Sequence, residues 1–187
     1  MASNARESRR ALIIVVMGVA GAGKSTVGRK LAAALGWPFY EADELHPPAN
    51  VERMRRGEPL TDADREPWLA KLERLIHTLV AKGTSAVLAC SALRETYRAR
   101  LRSAGGEGRV EFVYLRLDPP LASQRLRERR GHFMSPSLVE SQFAILEEPV
   151  NAITVDASRP PEVLSQEIRV ALHLPAGPTE GEATPST

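Results

Sequence analysis

Short apolar runs recur along the chain at Leu12 to Met17, Phe39 to Glu41, Ala86 to Cys90, Val110 to Leu117 and Ile153 to Asp156. Their length and their lack of polar alternation are those of strands covered on both faces. Between them lie longer segments with apolar residues at helical spacing. Leu69, Leu72, Leu75, Ile76 and Leu79 lay one stripe along a helix from about Asp62 to Lys82, with His77 off the stripe and solvated. Another helical pattern runs from Val27 to Leu35. Helix starts are marked by Thr61 with Asp64 three residues on, Asp118 before Pro119, Ser135 before Pro136, and Ser158 shortly before Pro160 and Pro161. Strands alternating with helices predict an α/β three-layer sandwich with a mostly parallel central sheet. No internal repeat or heptad pattern is present.

The pattern fades at both ends. Residues 1–10 are polar, and residues 175–187 are rich in Pro, Gly, Glu, Thr and Ser, so both are expected to be flexible. A single domain over 11–174 remains, an ordinary size for a chain of 187 residues. Hydrophobic residues make up 43% and charged residues 26%, which excludes a disordered or fibrous chain. The net charge of +2 comes from acids and bases interleaved along the chain, so a nucleic-acid partner is not expected. Cys90 is the sole cysteine, so no internal disulfide can form, and a reducing, cytoplasmic setting is expected. The run from Ala11 to Val16 is too short to span a bilayer, so no membrane association is expected.

The first run leads into Gly18-Val19-Ala20-Gly21-Ala22-Gly23-Lys24-Ser25, followed by Thr26 and a helix: the Walker A pattern in its required strand-to-helix context. Its glycines let the backbone curl so that N–H groups converge on phosphate oxygens, and the helix start adds partial positive charge. Residues 18–26 are therefore the expected ATP-binding loop. Lys24 is expected to reach the β- and γ-phosphates, and the Ser25 hydroxyl to ligate Mg²⁺. The loop alone does not separate kinases from hydrolases or switches. The chain has no Asn-Lys-x-Asp guanine-reading motif and no room for a mechanical domain, which leaves a compact transferase as the leading class.

Ligands of open α/β sheets lie outside the carboxyl ends of the strands. Glu41-Ala42-Asp43 ends the second run, and period-two spacing would turn both carboxylates into the cleft. Asp43 is the expected base for an acceptor hydroxyl and Glu41 part of the metal shell. In Leu45-His46-Pro47-Pro48-Ala49-Asn50, two prolines stiffen the backbone and would hold His46 over the acceptor. Arg94 and Arg98 follow the third run one helical turn apart, and a shared face would offer two guanidinium groups to an acid. Arg125 and Arg129 share a helical face just before Gly131-His132-Phe133, as a closing lid over about 129–136 would require. Both are expected phosphate contacts, with Arg129 assisting catalysis. Arg159, after the last run, is the expected partner of adenine. Trp68 and Phe143 are expected to be packing residues.

The stretch with Glu41, His46-Pro47, Asn50, Met54, Gly57-Glu58-Pro59-Leu60, Asp62, Asp64-Arg65 and Pro67-Trp68-Leu69 resembles the signature segment of the thermoresistant gluconokinases. Cys90-Ser91-Ala92-Leu93-Arg94, Tyr97-Arg98 and Gly131-His132-Phe133 are similar to the same family, so the likeness spans most of 11–174. It implies ATP-dependent phosphorylation of D-gluconate to 6-phospho-D-gluconate, feeding the pentose phosphate or Entner–Doudoroff routes. It also implies a P-loop kinase fold near the shikimate and nucleoside monophosphate kinases, a substrate-binding insertion at about 44–68, a small helical lid and a homodimer. Two positions depart from the family pattern: Arg94 stands where relatives often carry Lys, and Glu41 stands first in a pair that is commonly Asp-x-Asp. Two other readings stay open, a kinase for shikimate or another small acid, and an ATP-binding regulatory module without transferase activity.

Overall fold

A computed structural model describes residues 10–128 and 137–175. Among these, β1 (Ile13–Met17) leads to α1 (Lys24–Leu35), then to β2 (Phe39–Glu41), a 3₁₀ turn at Ala42–Leu45 and α2 (Pro48–Arg55). The chain continues through α3 (Asp62–Ala81), β3 (Ala86–Ala89), α4 (Glu95–Gly105), β4 (Val110–Arg116) and α5 (Pro119–Glu128). It ends with α6 (Ser137–Ile145), β5 (Ile153–Asp156) and α7 (Pro161–Ala171).

The strands form one sheet in the order β2-β3-β1-β4-β5, and every adjacent pair is parallel. Val15 of β1 stands opposite Leu88 of β3 and Phe112 of β4, so β1 is central. Because side chains alternate along a strand, β1 supplies both hydrophobic cores. Ile13, Val15 and Met17 pack with Trp68, Leu72 and Ile76 of α3 and Leu101 of α4. Ile14 and Val16 pack with Val27 and Leu31 of α1, Ala122 of α5, Val139 of α6 and Leu164 and Ile168 of α7. All five β1 residues are fully buried, which is why that run carries no polar alternation. Each such aliphatic side chain contributes about 1.5–3 kcal/mol on burial. Three layers result, as the sequence pattern predicts.

Caps define where the helices begin. At α3 the Thr61 hydroxyl accepts from Asp64 N–H at 3.2 Å, and Asp64 Oδ2 accepts from Thr61 N–H at 2.8 Å, a complete capping box. At α5, Asp118 Oδ1 accepts from Leu121 N–H at 2.8 Å. Ser158 does not start a helix: its N–H donates to Asp156 Oδ1 at 2.9 Å in a turn, and α7 begins at Pro161. The start expected at Ser135-Pro136 lies outside the described residues, where α6 is picked up at Ser137. Of the two prolines after His46, Pro47 is the N-cap of α2 and Pro48 occupies its first turn, where its missing N–H costs nothing. The connection leaving β1 runs to β2 on one side of it, whereas the connection leaving β3 crosses to β4 on the other side, and the crevice this reversal opens lies at the strands' carboxyl ends.

Candidate active site

The Walker A segment bridges β1 and α1. Gly18, with φ of 145°, passes so close to β4 that an added Cβ would lie 2.8 Å from the Leu115 carbonyl oxygen. Gly21, with φ of 84°, would place one 2.8 Å from the Ala122 carbonyl oxygen. The loop therefore needs glycine at both positions, for left-handed backbone and for clearance. No side-chain cap covers the start of α1, so its first N–H groups face the loop interior, where an anion is favoured. Lys24 Nζ donates to the Val19 carbonyl at 3.1 Å, which folds the ammonium back over the loop. The loop is tied on its acceptor side, where Ala20 N–H donates to Gln142 Oε1 of α6 at 2.7 Å. A backbone N–H only donates, so this bond also fixes which way the Gln142 amide points.

Thr26 and Gly21 to Gly23 share a cleft with Arg125, Arg159 and Pro161. Arg125 Nη1 donates to the Ala157 carbonyl at 2.8 Å, and Arg159 pairs with Glu167 of α7. The expected phosphate and adenine arginines are thus brought to the P-loop from α5 and from the segment after β5. Arg129 and the lid at about 129–136 lie outside the described residues.

On the other side of the loop, the Ser25 hydroxyl lies near enough to the Glu41 carboxylate to favour its ionised form. Burial raises the Glu41 pKa; the Ser25 hydroxyl opposes that, Asp43 reinforces it, and Lys24 and Arg29 oppose it. Asp43 is not on the strand. β2 ends at Glu41 and the 3₁₀ turn carries Asp43, so the period-two argument does not hold; the turn brings the two carboxylates close instead. Ser25 and Glu41 present hard oxygens on one side of Lys24, a donor set suited to Mg²⁺, which keeps several waters and takes the rest from phosphates. No cluster of three metal-ligating His, Cys, Asp or Glu side chains occurs among the described residues.

Asp43, His46, Arg65, Trp68, Ser91, Tyr97 and Gln142 line a pocket beside this carboxylate pair. His46 stacks on Trp68 with ring centroids 4.6 Å apart and planes 5° from parallel. Trp68 Nε1 in turn donates to the Ala42 carbonyl at 2.8 Å, so it packs, as expected, but also shapes the pocket. Burial lowers the His46 pKa to about 4, against the pull of Asp43 and helped by Arg65 and Lys71, so the imidazole is neutral near pH 7. Its Nδ1 is buried without a hydrogen-bond partner among the described residues.

The two arginines expected on one face part company. Arg94 is the N-cap of α4 in extended conformation, and its Nη1 donates to Asp62 Oδ2 at 2.8 Å on the rim of an adjoining cleft. Arg98 is 1% exposed; Nη1 donates to the Ala92 carbonyl at 2.9 Å and Nε to Glu95 at 2.8 Å. It is no ligand at the cleft mouth. Ala92 has φ of 44°, a left-handed turn that aims its carbonyl inward, and Arg98 satisfies it. The same loop is held by Glu147 N–H on the Leu93 carbonyl at 2.9 Å and by the Glu147 carboxylate on Glu95 N–H at 2.6 Å. Arg98 therefore braces the turn at Ala92 from within the core.

Arg65, Tyr97 and Gln142 are pocket residues to which spacing assigns no role. Arg65 stands inside the quoted signature segment, whereas Gln142 reaches Ala20 across 122 positions, which no local pattern marks.

Residues 13–148 match the family model described as an AAA domain. The chain is 48% identical over 158 residues to a gluconokinase of Gluconobacter oxydans (strain 621H), covering 83% of this chain and 88% of that protein. It is 38% identical over 154 residues to the thermoresistant gluconokinase of Escherichia coli (strain K12), covering 80% and 87%. The crystal structure of a gluconokinase from Sinorhizobium meliloti 1021 superposes with a TM-score of 0.78 at 41% identity, covering 88% of this chain and 93% of that one.

Proposed function

The chain belongs to the gluconokinase family of P-loop kinases, and from that premise we propose that it transfers the γ-phosphoryl group of ATP to D-gluconate, giving 6-phospho-D-gluconate. One observation carries the reading: Asp43, which lines the polar pocket, acts electrostatically on Glu41, which in turn feels Ser25 and Lys24 of the P-loop. An acceptor hydroxyl at Asp43 lies beside the place where Lys24 holds the terminal phosphate. Its oxygen bonds to the γ-phosphorus as the bond to the β–γ bridging oxygen breaks, its proton passes to the Asp43 carboxylate, and ADP leaves.

Lys24 and the amides of 18–26 hold the phosphates, and Arg125 and Arg159 flank the nucleotide. Arg129 assists transfer from the lid. Ser25 and Glu41 would hold Mg²⁺, which when bound offsets charge on the transferred phosphoryl oxygens. Neutral His46 serves as a hydrogen-bonding contact for a substrate hydroxyl, not as a charge. Arg94, engaged with Asp62, forms the outer rim of the acceptor side. A homodimer in the cytoplasm completes the reading; light scattering of the purified protein checks the first point. Among the described residues no helix is long and apolar enough to cross a membrane.

The test is ADP formation with ATP and Mg²⁺, comparing no acceptor, D-gluconate, shikimate and other sugar acids. Stimulation by gluconate, with 6-phosphogluconate as product, is the expected result. Stimulation by another acid alone would replace the substrate, and none at all would leave the regulatory module.

A further inference from the structure

Resting on the gluconokinase reading, we propose that Arg65 is the specificity-determining residue of the acceptor pocket, receiving the substrate carboxylate so that sugar acids are selected over neutral polyols. Arg65 lies in the first turns of α3, which the Thr61–Asp64 capping box anchors, and it lines both the acceptor pocket and the adjoining cleft at Asp62 and Arg94. Its side chain is only 17% exposed.

Nearby arginines are committed. Arg94 meets Asp62 at 2.8 Å, Arg53 meets Asp64 at 2.7 Å, Arg98 meets Glu95 at 2.8 Å and Arg100 meets Glu66 at 2.6 Å. Arg65 is different: Asp62 Oδ1, its ion-pair partner among the described residues, is 3.6 Å away, beyond a hydrogen bond. That oxygen already accepts the Tyr97 hydroxyl at 2.5 Å, and the other takes Arg94. Each Asp62 oxygen thus already accepts a closer donor, and the Arg65 guanidinium lies over the Tyr97 ring, 6.0 Å from its centroid. A largely covered guanidinium without a hydrogen-bonded counter-ion is costly, and a ligand carboxylate matches its planar fork.

Asp43 lines the same pocket, and no ion pair joins it to Arg65 among the described residues. A linear acid thus meets a proton acceptor at one wall and a permanent cation at another. One end of the substrate is recognised as hydroxyl and the other as anion.

The experiment compares D-gluconate with D-glucitol, the same carbon chain with a hydroxymethyl group in place of the carboxylate, in the unaltered protein and in Arg65→Met and Arg65→Lys. Glucitol is followed as an acceptor or, where turnover is too slow, as a competitive inhibitor against gluconate. In Arg65→Met, kcat/KM for gluconate is expected to fall about 100-fold, chiefly through KM, as for loss of one charge-assisted pair. The glucitol constant should move less than about threefold, and Arg65→Lys should recover part of the gluconate loss. Melting midpoints of both variants show whether they fold. A gluconate constant within about threefold of the unaltered protein, or equal losses for both ligands, overturns the proposal. If the unaltered protein forms no ADP with gluconate, the functional reading itself fails and the Arg65 proposal falls with it.

Discussion

Asp43 reaches the pocket from a 3₁₀ turn, and no other carboxylate lines that pocket (among the described residues). Asp43→Ala is therefore expected to lower kcat by about 10²–10⁴-fold, the span of a general base, while calorimetric affinity for ATP stays nearly unchanged. Retained transfer with lost ATP affinity would contradict the role. His46 makes a separate, pH-dependent contribution. Its folded pKa of about 4 lies below the ordinary 6.5, so between these values the unfolded chain binds the extra proton. Stability from this group is complete above about pH 6.5 and is lost as pH falls toward 4. In His46→Gln, the decline of the urea midpoint from pH 7 to 4 should be shallower than in the unaltered protein. At this scale the P-loop residues were legible, because backbone curl and phosphate contact are written into eight consecutive positions. The arginines were not. Spacing puts Arg94 and Arg98 one turn apart, but which guanidinium is buried depends on the left-handed Ala92, and that Arg65 has no hydrogen-bonded carboxylate among the described residues depends on Asp62 accepting from Tyr97 and Arg94.

Elements were easier to read than side chains wherever local rules act alone. The strand runs agree with β1 to β5 within a residue at each end, since burial on both faces leaves a continuous apolar signature. The caps at Thr61 and Asp118 are local hydrogen bonds and behave as read. Ser158 differs: it lies in a turn closed by Asp156, and Pro160, not Ser158, is the N-cap of α7. α4 offers a test at this scale. Its start is held to the Ser91–Leu93 loop by the buried Arg98, so Arg98→Ala leaves the Ala92 carbonyl unsatisfied and a void where the guanidinium was. The expected loss is about 2–4 kcal/mol in urea unfolding, against less than about 0.5 kcal/mol for exposed Arg55→Ala. A loss below about 1 kcal/mol would show that the loop stands without this clamp.

Across the whole molecule, the parallel sheet places the P-loop after β1, Glu41 and Asp43 at and just beyond the end of β2, and Ser91 after β3 along the carboxyl ends of the strands, where ligands of such sheets bind. This much follows from alternating strands and helices and was legible from the start. The bond from Gln142 to Ala20, which ties the far end of the chain to the P-loop, was not. Cys90 stands at the same junction, 1% exposed, with its N–H on the Val16 carbonyl and its thiol pushed up to about 12 by burial. As folded it is inert, so a disulfide reagent reacts only with molecules that have opened between β1 and β3. Labelling should therefore follow the pH dependence of an ordinary exposed thiol, multiplied by the small open fraction, and ATP should slow it in proportion to its occupancy. The sole sulfhydryl thus becomes a built-in stopwatch for the integrity of the central strands, readable without a mutation or an attached dye.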